Sequence, residues 1–385
     1  MIMERIKSNH IICSDKEISG YIYFENGVIS EISDRDLACD KEYDYSDLYV
    51  SAGFIDIHTH GGGGYAFEGE VEDIVRGCNF HLAHGVSSIC PTISAAPIAD
   101  MRRSVANVKD ASLSPELKNN IIGAHLEGPY LSLAQTGAQG SEFITPPVFD
   151  DYKAIIEEFD GVVARWTYAP ENDEGERFAA FMHEHGVVTS AGHTNACYPD
   201  IRRAMDNGCR LITHLYSCTS TVTRKMGFRS LGVIESAFLE DDMYVEIIAD
   251  GKHLPAELIR MIYKIKGAPR IALVSDSLSL AGTDIKTGRM QSTDFVIEDG
   301  VCKLLDRSAF AGSIATADRL VRVLTHEVGV PMCEAVRMMS ATPAEIMGLD
   351  NKGVLEKGRD ADFTVFDDHI DVSAVFVGGE LKYSV

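Results

Sequence analysis

The sequence predicts an α/β fold: a (β/α)8 TIM-like barrel with a small β-sandwich domain formed by both chain ends. Eight short apolar runs alternate with amphipathic stretches through the middle of the chain. The two ends instead carry hairpin signals and strand-like alternation. Unusual polar residues recur at the C-terminal ends of the apolar runs, the place where barrel active sites are built. A length of 385 residues suits a barrel plus an accessory domain. The resulting division assigns 1–52 and 351–385 to the sandwich and 53–350 to the barrel.

Taken in order, "GYIYFENGVISEI" alternates around Asn26-Gly27, a strong two-residue hairpin signal. The barrel runs follow. They are "GFIDIH" (53–58), "VSSICPTI" (86–93), "IIGAHLE" (121–127), "VVARWTYA" (162–169), "VVTSAGH" (187–193), "RLITHLY" (210–216), "YVEIIAD" (244–250) and "IALVSD" (271–276). Helical periodicity separates them, as in "VEDIVRGCNFHLAHG", "ERFAAFMHEHG" and "PAELIRMIYKIKG". No repeat of fixed length is visible, which excludes a solenoid. At the C-terminus "DADFTVFD" alternates, and "VSAVFVGGELKYSV" reads as a hairpin turning at Gly378-Gly379.

Composition narrows the function classes. Acidic residues outnumber basic ones 58 to 35, for a formal charge of −23, which argues against nucleic-acid and membrane partners. An anionic small substrate stays allowed, because a few local Arg or Lys residues suffice to hold one. The nine cysteines include no CxxC pair and read as reduced thiols. With no apolar window suited to a leader or a membrane span, the expectation is a soluble cytoplasmic protein.

Glu127, His193 and His214 end consecutive or nearby runs. A buried carboxylate needs a partner, and one Glu with two His residues is a catalytic zinc pattern with an open position. Zn, Fe and Mn all accept these donors. In "DIHTHGGGG", His58 and His60 are two apart in a strand and face one side, while Thr59 turns away. The glycines lack the Gly-Lys-Ser/Thr of a phosphate loop. They read as letting backbone pass close to metal or substrate. Asp276 ends the last run, where a carboxylate beside a metal can shuttle a proton. Asp250 reads as a turn cap, and His253 just beyond it as a substrate contact. Arg224, Lys225 and Arg229 form a rare basic cluster able to neutralise a phosphate. His81 and His84, three apart on a helix without partners, read as surface residues. No Gly-x-Ser-x-Gly occurs, which argues against a serine nucleophile.

Together, "GFIDIHTHGGGG", "HGVSSICPT", "HLEGPYLS", "AGHTNA", "THLY", "IADGKH", "LVSD", "AGS" (311–313) and "KGVLEKGRDADFTVFD" resemble the amidohydrolase superfamily. Within it they resemble the N-acetylglucosamine-6-phosphate deacetylase family, in that family's order along nearly the whole chain. The resemblance implies metal-dependent hydrolysis of an acetamido group. It implies Glu127, His193 and His214 as main metal ligands and His58 and His60 as the pair that admits a second metal. One or two divalent ions per subunit follow, Zn first among them. Asp276 becomes the acid/base, and His253 the contact to the reacting carbonyl. Substrate contacts fall on Ala138, Gln139, Ser217, Cys218, Phe310, Ala311 and Gly312. Arg224 or Lys225 stands nearest the family's phosphate-binding arginine, which crosses a dimer interface, so a homodimer and a phosphorylated amino sugar are implied. Here that stretch is altered, Asn-Ala-Met after "THLY" becomes Ser217-Cys218-Thr219, and a Gly-x-His segment becomes Gly137-Ala138-Gln139. Cyclic amidases of the superfamily use a carboxylated lysine on the fourth strand, and "VVARWTYAPE" has none. A non-catalytic scaffold would have lost ligands that this chain keeps.

Overall fold

The computed structural model describes residues 2–14, 16–290, 293–307 and 309–385. The eight apolar runs form eight barrel strands: Phe54–Thr59, Val86–Ser94, Ala124–Glu127, Val163–Tyr168, Val188–Ala191, Leu211–Ile212, Tyr244–Ile247 and Ile271–Leu273. Each pairs in parallel with the next. Helices cover the outside, among them Val71–Leu82, Arg177–Glu184 and Ala256–Lys266, where the 3.6-residue periodicity put them. The first and eighth strands share no ladder. Their extensions close the ring instead: Asp276 N–H donates to His58 O at 2.9 Å, and His60 N–H donates to Ser277 O at 2.8 Å.

Several runs are shorter as strands than as apolar sequence. The fifth ends at Ala191 and the sixth at Ile212. Beyond each end the chain turns through a left-handed residue, His193 at φ 45° and His214 at φ 27°. Asp276, past the eighth strand, does the same at φ 45°. Such conformations cost about 1–3 kcal/mol for a residue with a Cβ and concentrate at functional sites. Here they swing three polar side chains out of strand register and into the mouth.

Both chain ends build one further sheet. Its order is Glu380–Ser384, Val372–Val377, Phe363–Phe366, Tyr49–Ala52, Glu4–Ile12, Glu17–Glu25 and Val28–Ser33, with Lys41–Asp44 also on Glu4–Ile12. It encloses its own core of Ile6, Phe24, Phe363 and Phe376. The predicted turns hold, with φ 51° and 78° at Asn26-Gly27 and 56° and 78° at Gly378-Gly379. The alternating stretch "DADFTVFD" holds strand Phe363–Phe366, which is buried throughout. Thr364 faces the barrel, where its hydroxyl donates to Gly85 O at 2.7 Å.

Three small sheets lie outside the sequence reading, the first a pairing of Gly61–Gly62 with Tyr65–Ala66. A hairpin, Thr223–Lys225 with Phe228–Ser230, follows the sixth strand. A four-stranded antiparallel sheet between Thr287 and Gly312 follows the eighth, and its last strand, Phe310–Gly312, borders the mouth. Among the described residues, no helix is long and apolar enough to cross a membrane.

Candidate metal centre and active site

The side chains at the strand ends converge on Glu127, which is 2% exposed. Its Oε1 lies 3.2 Å from His193 Nε2 and 3.0 Å from His214 Nε2, and those two nitrogens are 3.2 Å apart. His58 Nε2 is 3.4 Å from Oε1, and His60 Nε2 is 3.2 Å from Oε2. Two overlapping sets of donor atoms result: Glu127, His193 and His214; and His58, His60 and Glu127. Asp276 Oδ1 sits 3.4 Å from His58 Nε2 and 3.3 Å from His60 Nε2. As the two-residue spacing requires, both histidines point in, and Thr59 points away to His81 Nε2 at 3.2 Å.

The second nitrogen of each ring decides what the first can do. His58 Nδ1 donates to Glu246 Oε2 at 3.2 Å, His193 Nδ1 to Gln135 O at 2.9 Å and His214 Nδ1 to Ser217 O at 3.2 Å. His60 Nδ1 donates to Ser94 Oγ at 3.1 Å, whose own hydrogen goes to Glu68 Oε1 at 2.8 Å. With Nδ1 protonated, each neutral ring turns a lone pair on Nε2 toward the same point. Four lone pairs and two carboxylates facing one another repel unless a cation lies among them. This donor set of imidazole and carboxylate fits a divalent ion such as Zn, with its outer partners fixing each ring.

Protons answer the same need when no metal is bound. Burial opposes charge on His58, but Glu127 and Asp276 outweigh it and raise its pKa to about 9. His60 and His193 are likewise raised against their burial. Burial opposes ionisation of Glu127 and Asp276 too. The facing imidazoles prevail, holding Glu127 well below the usual carboxylate range and Asp276 at about 2.

A cavity of about 570 Å³ opens above this floor. Of the expected substrate contacts, Ala138, Gln139, Ser217, Cys218, His253, Phe310, Ala311 and Gly312 line it. Asp250 is the turn cap expected, its Oδ1 accepting the N–H groups of Lys252 and His253 at 2.8 Å each. It does more: Oδ2 accepts from His253 Nδ1 at 2.9 Å, which orients the ring. Arg224 and Lys225 do not reach the cavity. They lie on the exposed 223–230 hairpin, and no Lys or Arg lines the cavity among the described residues.

Other expectations need correcting. The glycines after His60 are not among the residues lining the cavity. A Cβ on Gly62 would collide with the Phe80 ring, so this run lets the loop pack on helix Val71–Leu82. His81 is a core residue, 0% exposed, its Nε2 2.9 Å from Gly61 O. Sequence reasoning missed Glu246, which pairs with buried Arg165 and holds His58, and His125, which stacks edge-on against His58 at 4.6 Å. The available signal was a charged or polar residue inside an apolar strand run. It also missed the cavity walls made by Glu68, Leu278 and Phe295.

The chain belongs to the amidohydrolase family, whose sequence profile matches residues 49–384, and within it to the N-acetylglucosamine-6-phosphate deacetylases. It is 30% identical over 347 residues to the N-acetylglucosamine-6-phosphate deacetylase of Haemophilus influenzae, covering 89% of this chain and 88% of that one. It is 29% identical over 359 residues to the N-acetylgalactosamine-6-phosphate deacetylase of a Shewanella species, covering 93% and 89%. Among solved structures it resembles a mutant N-acetyl-D-glucosamine-6-phosphate deacetylase from Mycobacterium smegmatis in complex with N-acetyl-D-glucosamine-6-phosphate. The TM-score is 0.91 at 26% identity, over 100% of both chains.

Proposed function

We propose that this chain hydrolyses the acetamido group of N-acetylglucosamine 6-phosphate, releasing acetate and glucosamine 6-phosphate. The observation that carries this reading is the meeting of Glu127 Oε1, His193 Nε2 and His214 Nε2 within 3.0–3.2 Å, with Asp276 beside them at the cavity floor. Glu127, His193 and His214 would hold one divalent cation, and His58 and His60 with Glu127 a second. Zn is the expected ion, with Fe and Mn compatible. Once bound, the cation supplies Lewis-acid polarisation of the acetyl carbonyl and lowers the pKa of water.

Asp276, its Oδ1 3.4 Å from His58 Nε2 and 3.3 Å from His60 Nε2, acts as the ionised carboxylate of the site. It accepts a proton from the attacking water and returns it to the departing amine nitrogen. His253, its ring anchored through Nδ1 on Asp250, faces the cavity as the residue assigned to the substrate carbonyl. Leu278, Phe295 and Phe310 form an apolar part of the cavity wall. The 6-phosphate needs a cation that the cavity lining lacks. Arg224 and Lys225 stand on a hairpin whose Met226 and Phe228 are 88% and 79% exposed, the profile of a segment made to dock. We assign this hairpin to the cavity of a second copy, which makes the working unit a homodimer, and we place it in the cytoplasm, where its nine cysteines stay reduced.

Asp276→Asn tests the proposal. The variant should keep its metal and lose about 10²- to 10⁴-fold in kcat for acetate release. Activity within threefold of wild type would remove Asp276 from the mechanism.

A further inference from the structure

Gln139 lines the cavity, but its polar atoms are engaged elsewhere. Its Oε1 accepts the backbone N–H of Ala95 at 2.9 Å, and its Nε2 donates to Glu127 Oε2 at 2.6 Å. The first bond settles the orientation of the amide. A backbone N–H only donates, so the oxygen faces Ala95 and the NH2 group faces the carboxylate. Three segments are thereby tied together: the end of the second strand, the end of the third, and the loop beyond it.

Rotation about the last bond of a glutamate side chain is soft. Glu127 has two unlike tasks for its two oxygens: Oε1 faces the His193–His214 pair, and Oε2 faces His60. A short, charge-assisted bond on Oε2 selects one orientation of the carboxylate. It also occupies a lone pair of the oxygen that turns toward His60. The same loop is pressed against the site at Gly137, in the left-handed region at φ 58°. A Cβ there would collide with Cys218 Sγ and lie 3.3 Å from His193 Cε1.

We propose that Gln139 is a positioning residue for Glu127 rather than a sugar contact, and that it makes the Glu127–His193–His214 site the tighter of the two cation sites. The inference rests on the reading of Glu127 as a cation ligand given above. Outer partners of metal ligands typically contribute 10- to 100-fold in affinity.

The test is Zn²⁺ titration of the metal-free full-length chain against a chromophoric chelator, for wild type, Gln139→Met and Gln139→Ala. Thermal melting of the metal-free forms confirms that each is folded. Both variants should bind the first Zn²⁺ about 10- to 100-fold more weakly, narrow the gap between first and second equivalents, and keep KM for the phosphorylated sugar within about twofold at saturating Zn²⁺. Unchanged Zn²⁺ affinity in the folded variants overturns the proposal. A tenfold rise in KM with unchanged Zn²⁺ affinity overturns it in favour of a sugar contact. A wild-type chain that takes up no divalent cation overturns the metal centre itself, and this inference with it.

Discussion

His81 shows how a single buried titratable group sets a pH limit on the fold. Burial outweighs the Gly61 carbonyl and lowers its pKa to about 4, against about 6.5 in an unfolded chain. Between those values the unfolded chain binds a proton that the folded one refuses, so stability falls as pH drops from 6.5 toward 4 and is unaffected above 6.5. The effect is on the order of 3 kcal/mol. Unfolding in urea across this range should show a steeper loss in wild type than in His81→Gln, because His125, lowered by burial in the same direction, keeps part of the slope in both. Coincident pH slopes for the two proteins would mean that water reaches the ring. The sequence reading put His81 on the surface because three-residue helical spacing says that two side chains share a face, not which face. Glu127, His193, His214 and Asp276 were legible for the opposite reason. Glu127, His193 and Asp276 end apolar runs and His214 lies near the end of one, and polar groups there have no cheap place in a core. Arg165 and Glu246 escaped notice because each lies within a run, where its partner belongs to a different strand and only the closed ring brings the two together.

At the scale of elements, local chemistry was readable where a turn or period is short-range. The Asn-Gly and Gly-Gly hairpins and the amphipathic helices fall where their residues require. Asp299-Gly300, at φ 56° and 77°, turns "FVIEDGVCKLL" by the same rule, so the inserted sheet carried a signal of its own. The 223–230 hairpin carried less: its strands are three residues each, and its turn residue Met226 adopts φ 48° without being Gly or Asn. Its role is testable. A charged hydrogen bond to phosphate contributes about 1.5–3 kcal/mol, so Arg224→Ala with Lys225→Ala should raise KM for the 6-phosphate sugar about ten- to hundred-fold. Deacetylation of unphosphorylated N-acetylglucosamine should not change. Equal effects on both sugars would separate the hairpin from the phosphate.

Across the whole molecule, the two chain ends meet in one sheet while the barrel is left with a seam. Alternation and hairpins made the first legible. The second was not, because an (β/α)8 pattern implies eight equivalent pairings and says nothing of which is weakest. Seven pairings are ladders. The eighth rests on two backbone hydrogen bonds beside the site, from Asp276 N–H and His60 N–H, with side-chain bonds from Ser275 N–H to Asp56 Oδ1 and from the Thr59 hydroxyl to Ser277 O. The proposed ligands His58 and His60 stand at and just past the end of the first strand, beside Asp276 past the eighth, with Glu127, His193 and His214 opposite. A cation that binds only the folded chain stabilises it by about 2.7 kcal/mol at a hundred times its Kd. The geometry predicts where that stabilisation is felt. Loading the metal-free protein with Zn²⁺ should slow amide exchange at Asp276 and His60 more than at Trp166 and Thr167, whose strand is already paired on both sides. Hydrogen exchange resolved by residue measures this directly. Uniform protection over all eight strands would mean that the ion stabilises the barrel as one body and that the seam is no weaker than the ladders.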